Sequence, residues 1–245
     1  MDEQIIIYLI IGFVAQMIDG TLGMAYGVSS NSFLLSAGLP PAAASATVHF
    51  AELFTTGASA FFHRKFGNID FALFKRLVIP GIAGGAVGAY ILTELPGDKI
   101  KPFIAGYLLI MGVVILFKAF KTIKEQKVEK QIAPLGLIGG FFDAIGGGGW
   151  GPIVTSTLVA KGNNPRMTVG SVNCAEFFVT VAQSAVFIFT IGISHRNAVL
   201  GLIAGGVIAA PIAALVCKKI PAKKLMILVG ILIISLSLRT IVNSF

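Results

Sequence analysis

Four acidic residues draw attention because of their surroundings. Glu52 and Glu176 lie in the middle of apolar runs, Ala42 to Phe62 and Met167 to Ile193, while Asp19 and Asp143 lie where apolar runs meet glycine. Their spacing repeats, with 33 residues from Asp19 to Glu52 and 33 from Asp143 to Glu176. A carboxylate at the centre of a bilayer is costly, by about 2.5 kcal/mol or more on insertion scales. Two readings are open for the glutamates. Either each takes up a proton and couples proton movement to transport, or each stays ionised and is pinned by backbone N–H groups. His49 precedes Glu52 by three residues, which puts both on one helix face. It can relay a proton, bind an anionic oxygen or hydrogen-bond Glu52. The matching pair in the second half is Asn173 and Glu176, and Thr180 and Gln183 extend that polar face by one and two turns. No further N or S ligand stands at metal spacing, so neither a metal nor another cofactor is expected. His63 and His195 fall near the ends of apolar runs and are expected to be solvated.

The glycines offer a second kind of chemistry. Gly146 to Gly149 are consecutive, and a helix starting near Trp150 or Gly151 would present successive N–H groups at its positive end, a ready anion site. In the first half the equivalent stretch is Gly23 to Gly27, followed by Ser29, Ser30 and Asn31. The residues expected to hold a small anionic solute are Gly23, Met24, Tyr26, Gly27, Asn31 and His49, with Gly147, Gly148, Gly149, Trp150, Gly151 and Asn173. The competing reading is close helix packing, which small residues permit. Asp19 and Asp143, just before the breaks, are expected to cap the next helix or the opposing hairpin. Tyr26 and Trp150 either close over a solute or belong to the core.

Composition says what must position these groups. The chain has 245 residues, 56% hydrophobic and 12% charged, with a mean hydropathy of +0.88. A soluble domain carries about 25% charged residues. That excludes an ordinary soluble enzyme, a disordered chain and a disulfide scaffold, and leaves a multi-pass membrane protein. The net charge of +8 sits in loops between apolar runs, with no basic stripe or nucleic-acid motif, so the partner is a lipid bilayer and not nucleic acid. Cys174 and Cys217 fall inside separate apolar runs and form no metal pattern.

A spanning helix needs about 20 apolar residues. Ala42 to Phe62, Leu77 to Thr93, Pro102 to Phe117, Met167 to Ile193, Asn197 to Cys217 and Leu225 to Val242 come close. Gln4 to Ile18, Leu22 to Ala37, Ile132 to Phe142 and Gly151 to Ala160 are shorter and read as paired pieces of broken or re-entrant hairpins. If each pair enters and leaves on one side, 15 of the 19 Lys and Arg fall on a single side. The positive-inside rule makes that side cytoplasmic and both termini extracytoplasmic, in a plasma (inner) membrane.

Shifted by 124 residues, the sequence matches itself. Gly12 falls on Gly136, Asp19 on Asp143, Gly23 on Gly147, Tyr26 and Gly27 on Trp150 and Gly151, Pro41 on Pro165, Ala51 and Glu52 on Ala175 and Glu176. One inserted residue then aligns Gly67 with Gly192 and Pro96 with Pro221. The expected fold is an all-α polytopic membrane protein of two inverted-topology repeats, each a broken hairpin plus three transmembrane helices. Residues 1–120 form the first repeat, 121–131 a cytoplasmic linker and 132–245 the second. Secondary transporters often have this plan, with the site near the midplane where broken helices meet.

The stretch Gly136 to Pro152, Gly-Leu-Ile-Gly-Gly-Phe-Phe-Asp-Ala-Ile-Gly-Gly-Gly-Gly-Trp-Gly-Pro, resembles the signature of the TauE/SafE sulfite-exporter family, as does the small-residue helix Val169 to Phe178 after it. The first half departs from that signature. Thr21 to Gly27 has two glycines where the second half has five, and Val28 stands in place of Pro152. The resemblance implies export, and sometimes import, of sulfite, thiosulfate, sulfonates and related sulfur-containing anions. No catalytic triad or nucleotide motif is present, so a secondary transporter working by alternating access is expected, not an enzyme. An anion channel and a cation/proton antiporter on the same scaffold are the alternatives. Oligomeric state stays open, a homodimer among the options.

Overall fold

A computed structural model describes residues 3–120, 131–216 and 222–243. Among the described residues the chain is entirely helical: α1 (Glu3–Leu22), α2 (Tyr26–Ser36), α3 (Pro41–Lys65), α4 (Phe71–Glu94), α5 (Gly97–Lys118), α6 (Ile132–Gly146), a π-helical turn (Gly151–Thr155), α7 (Ser156–Ala160), α8 (Pro165–Thr190), α9 (Arg196–Val216) and α10 (Ala222–Val242). Five of these helices are long and apolar enough to cross a membrane, namely those over Gln4–Leu22, Phe71–Glu94, Gly97–Lys118, Pro165–Thr190 and Arg196–Val216. The linker, except Gln131, and Cys217 lie outside the described residues.

Local chemistry sets several helix ends. Asp70 caps α4 by accepting from the N–H groups of Ala72 (2.9 Å) and Leu73 (3.2 Å). Asn164 caps α8 by accepting from Met167 N–H at 3.2 Å, with Pro165 in the first helical turn. Two ends differ from the sequence expectation. The run expected to stop at Ile18 continues through Asp19 and Gly20 to Leu22, which makes α1 a 20-residue helix long enough to span. Likewise α6 passes Phe142 and includes Asp143, ending at Gly146. In both cases the aspartate lies inside the helix, where partners from distant sequence surround its carboxyl group.

Helix packing follows the 124–125 residue offset seen in the sequence. α1 packs on α9 as α6 packs on α4, α3 packs on α9 as α8 packs on α4, and the two self-matched pairs are α3 with α8 and α5 with α10. Small residues allow these approaches. A Cβ on Gly136 would stand 2.9 Å from the Leu77 carbonyl oxygen of α4, and its counterpart Gly12 lies equally hard against Leu202 of α9. Gly81 lies under the Trp150 ring, where a Cβ would come within 2.6 Å, and Gly206 occupies the same place beside Tyr26. The outward surface is apolar, with Phe189 88% and Phe103 77% exposed. A shell of that kind needs a hydrocarbon solvent.

Candidate functional site

Polar groups collect where the two helix breaks meet. At the second break Gly147 has φ +63° and Gly148 φ +150°, backbone that a side chain would strain. The turn is held by Asp143. Its backbone oxygen accepts from Gly148 N–H at 2.9 Å, and its Oδ1 accepts from the N–H groups of Gly149 (2.8 Å) and Trp150 (2.9 Å). The Gly149 and Trp150 N–H groups, expected to face a solute, are thus engaged by an internal carboxylate. The π-helical turn comes next, an irregularity common at functional sites. At the first break Gly23 N–H donates to the Asp19 carbonyl at 2.5 Å. The Tyr26 backbone N–H and the Asn173 side chain lie beside the Asp19 carboxyl group.

The breaks touch each other through their glycines. A Cβ on Gly27 would lie 2.6 Å from Gly148 Cα, and Gly151 packs in the same manner on Met24. Asn31 Nδ2 donates to the Gly146 carbonyl at 2.6 Å, and Tyr107 of α5 donates through its hydroxyl to Gly148 O at 3.3 Å. Beside the breaks, Ser29, Ser30 and Ser32 of α2 and Thr155 of the π turn are buried with no hydrogen-bond partner for their hydroxyl oxygens.

Each aspartate is served by the opposite half. Asp143 Oδ2 accepts from His49 Nε2 at 3.1 Å and from Gln183 Nε2 at 2.9 Å. Ser45, one turn before His49, donates to the Ala144 carbonyl at 2.6 Å. The 124-residue offset carries Asp143 to Asp19, His49 to Asn173 and Gln183 to Ser59. Those three also form a group, since Asn173 lies beside Asp19 and its Nδ2 donates to Ser59 Oγ at 2.8 Å. Glu52 and Glu176 are buried, and one oxygen of each (Oε2) has no partner. Glu52 Oε2 lies 3.9 Å from His49 Nε2.

This arrangement pairs transporter-like helix breaks with buried carboxylates, and sequence comparison agrees. The family described as "Sulfite exporter TauE/SafE" matches residues 8–240. The chain belongs to the TauE/SafE family. It is 46% identical to the "Probable membrane transporter protein YtnM" of Bacillus subtilis (strain 168), over 99% of this chain and 84% of that protein. A second relative, "Probable membrane transporter protein ORF9" of Sinorhizobium sp., is 25% identical over 57% of this chain and 54% of its own length. No solved structure matches. This TauE/SafE chain is a multi-pass membrane transporter.

Within this TauE/SafE fold the candidate residues separate into distinct places. Gly23, Met24, Gly27, Asn31, Gly147, Gly148 and Gly151 form the contact between the breaks and Gly149 lies against the Tyr107 hydroxyl, while His49, Glu52, Asp143, Asn173, Asp19 and Glu176 lie around it. Tyr26 and Trp150 are core residues. The Tyr26 hydroxyl donates to Leu202 O at 3.3 Å, and Trp150 Nε1 donates to Val172 O at 3.2 Å amid Leu77, Val154 and Val179. Thr180 is spent on its own helix, donating to Phe177 O at 2.9 Å.

His63 departs from its expected solvated setting. It is fully buried, with Nε2 3.1 Å from Gly20 O and Nδ1 3.0 Å from Asn68 Nδ2. The reason is Arg166, which donates to Asn68 Oδ1 and to Phe66 O and so folds the α3–α4 turn over the imidazole. Sequence reasoning passed over Ser59, Ser45 and Tyr107, although the 124-residue offset from Gln183 points to Ser59 and one helical turn separates Ser45 from His49. His49, Glu52 and Asp143 also place ligand atoms within 4.8 Å of one another, the third supplied by the other half of the chain. They suit a resident metal poorly, because both Asp143 oxygens already accept two N–H groups each.

Proposed function

We propose that this TauE/SafE chain is a secondary transporter, working as an exporter, for small sulfur-containing anions such as sulfite, thiosulfate or organosulfonates. The observation that carries the reading is the set of partnerless buried hydroxyls, Ser29, Ser30, Ser32 and Thr155, directly after both breaks. Hydroxyls without acceptors of their own suit the oxygens of a compact oxyanion, and a buried polar group is costly until it finds such a partner. The two repeats, 1–120 and 132–245, are of opposite topology, both termini are extracytoplasmic, and the membrane is the plasma (inner) membrane. Alternating access parts the glycine contact between Gly27 and Gly148 first toward one side, then the other. Asn31 supplies a further donor as the contact opens. Proton uptake on the buried glutamates offsets the negative charge of the solute.

The test is counterflow in proteoliposomes with labelled sulfite, thiosulfate and organosulfonates at two pH values. Saturable, trans-stimulated flux of one of these anions is the expected result. A steady conductance reversing at the anion Nernst potential would instead identify a channel. A second reading, cation/proton antiport, is favoured by four buried carboxyl groups with no Lys or Arg among the described buried residues. Flux that depends on a cation and ignores sulfur anions would establish that reading.

A further inference from the structure

The two clusters related by the 124-residue offset match in position but differ in chemistry. Asp143, His49 and Gln183 form one; Asp19, Asn173 and Ser59 form the other. An amide donates hydrogen bonds but does not release its hydrogen at neutral pH, whereas an imidazole does. We propose that proton coupling runs through one cluster only, with His49 passing a proton between Asp143 and Glu52, while Asn173 pins Asp19 without exchange. This rests on the transporter reading and names the group that loads its glutamate.

Hydrogen-bond geometry supports the assignment. His49 Nδ1 lies 2.8 Å from the Ser45 carbonyl oxygen, which only accepts, so Nδ1 carries hydrogen. Nε2 faces the Asp143 carboxyl group at 3.1 Å, so one further hydrogen is shared along that line. Within 4 Å of Nε2 stand two carboxyl groups of different character. Asp143 is anchored by Gly149, Trp150 and Gln183, while Glu52 Oε2 has no partner. A modest shift of the Glu52 side chain closes the 3.9 Å gap. Transfer then breaks the Nε2–H bond and forms an O–H bond on Glu52. The imidazole keeps its Nδ1 hydrogen and the Nε2 electron pair stays on the ring, so atoms and charge balance. Other ionisable groups around this pair are Asp19 from α1, Tyr26 from α2, Tyr107 from α5 and Glu176 from α8. From α8 the Phe187 ring also covers His49, with centroids 5.9 Å apart. Among the described residues His49 is the imidazole paired with Glu52. Glu176, with an amide at the matching position, has no such donor.

The experiment compares the native chain with His49→Asn, Asn173→His and the exchange variant His49→Asn/Asn173→His. Each is reconstituted in vesicles with the membrane potential clamped at zero. The readout is accumulation of a labelled organosulfonate, a monovalent anion that stays fully ionised at both pH values, with and without a gradient of one pH unit. One proton moved per monovalent anion gives about tenfold accumulation. The native chain is expected to approach that value, His49→Asn to fall to about onefold, and the exchange variant to recover a gradient response through Glu176. A native-like response in His49→Asn overturns the proposal. So does an exchange variant that still performs counterflow but ignores the gradient. Where His49→Asn does not assemble, the exchange variant alone decides, and Asn173→His must keep at least the native response. Absence of counterflow in the native chain would fail the transporter reading, a result distinct from loss of the gradient response.

Discussion

Gly27 lies so close to Gly148 that a methyl group on it would stand 2.6 Å from the Gly148 Cα. The contact is backbone against backbone, so no side chain can swing aside. Gly27→Ala is therefore expected to cost about 1–3 kcal/mol by overpacking and to suppress transport strongly. Thermal unfolding in detergent and counterflow read the two effects. Gly106 in α5 is the control, since nothing lies within 4 Å of a Cβ there. Gly106→Ala is expected to be neutral or to add about 0.5–1 kcal/mol of stability.

Removing Asp143 leaves four N–H donors without their acceptor, including the imidazole of His49. Asp143→Ala is expected to destabilise by about 3–5 kcal/mol, the range for breaking a buried charged pair from one side. Asp19 keeps one carboxyl oxygen without a partner, so Asp19→Ala is expected to cost less. Denaturation of the two variants side by side checks the order.

Arg166 holds the α3–α4 turn through Asn68 and the Phe66 carbonyl. Arg166→Ala is expected to lose about 1.5–3 kcal/mol of local stability, as for hydrogen bonds to a charged group. The Asn68 backbone N–H, bonded to the His63 carbonyl at 2.8 Å, should then exchange with deuterium faster. Unchanged protection at that amide would show that the arginine is dispensable to the turn.

Glu52 has the His49 imidazole 3.9 Å away, and Glu176 has the amide Asn173 at the matching sequence position. Glu52→Gln is expected to reduce pH-gradient-driven accumulation more than Glu176→Gln does. Equal losses would argue for two equivalent proton sites. The measurement is organosulfonate accumulation in vesicles clamped at zero potential, run on both variants at matched protein content.

Much of the architecture was legible in the sequence. Apolar runs placed the long helices, and the glycines at 23–27 and 146–149 placed the breaks, because backbone geometry near glycine is a local property. The end of α1 was not legible. Asp19 and Gly20 look like a terminus when read locally, yet the helix continues because Asn173, far along the chain, meets the carboxyl group. The burial of His63 was hidden for the same reason, since its cover is Arg166, about 100 positions away. Long-range partners decide whether a polar residue in an apolar run ends a helix or is absorbed into it, and one-dimensional spacing carries no record of them. The repeat was the exception. By aligning His49 with Asn173 it related positions 124 residues apart, and those positions proved to hold the two aspartates.

Each aspartate has one neighbour from the other half of the chain, His49 at Asp143 and Asn173 at Asp19, beside donors from its own half. A free-standing half would have to associate with a twin, and twins read from one template would present the same residue on both sides of their shared axis. Joining the copies in one polypeptide removes that constraint. Two identical halves could not keep an imidazole at one of two matching seats and a carboxamide at the other, and one fused chain does.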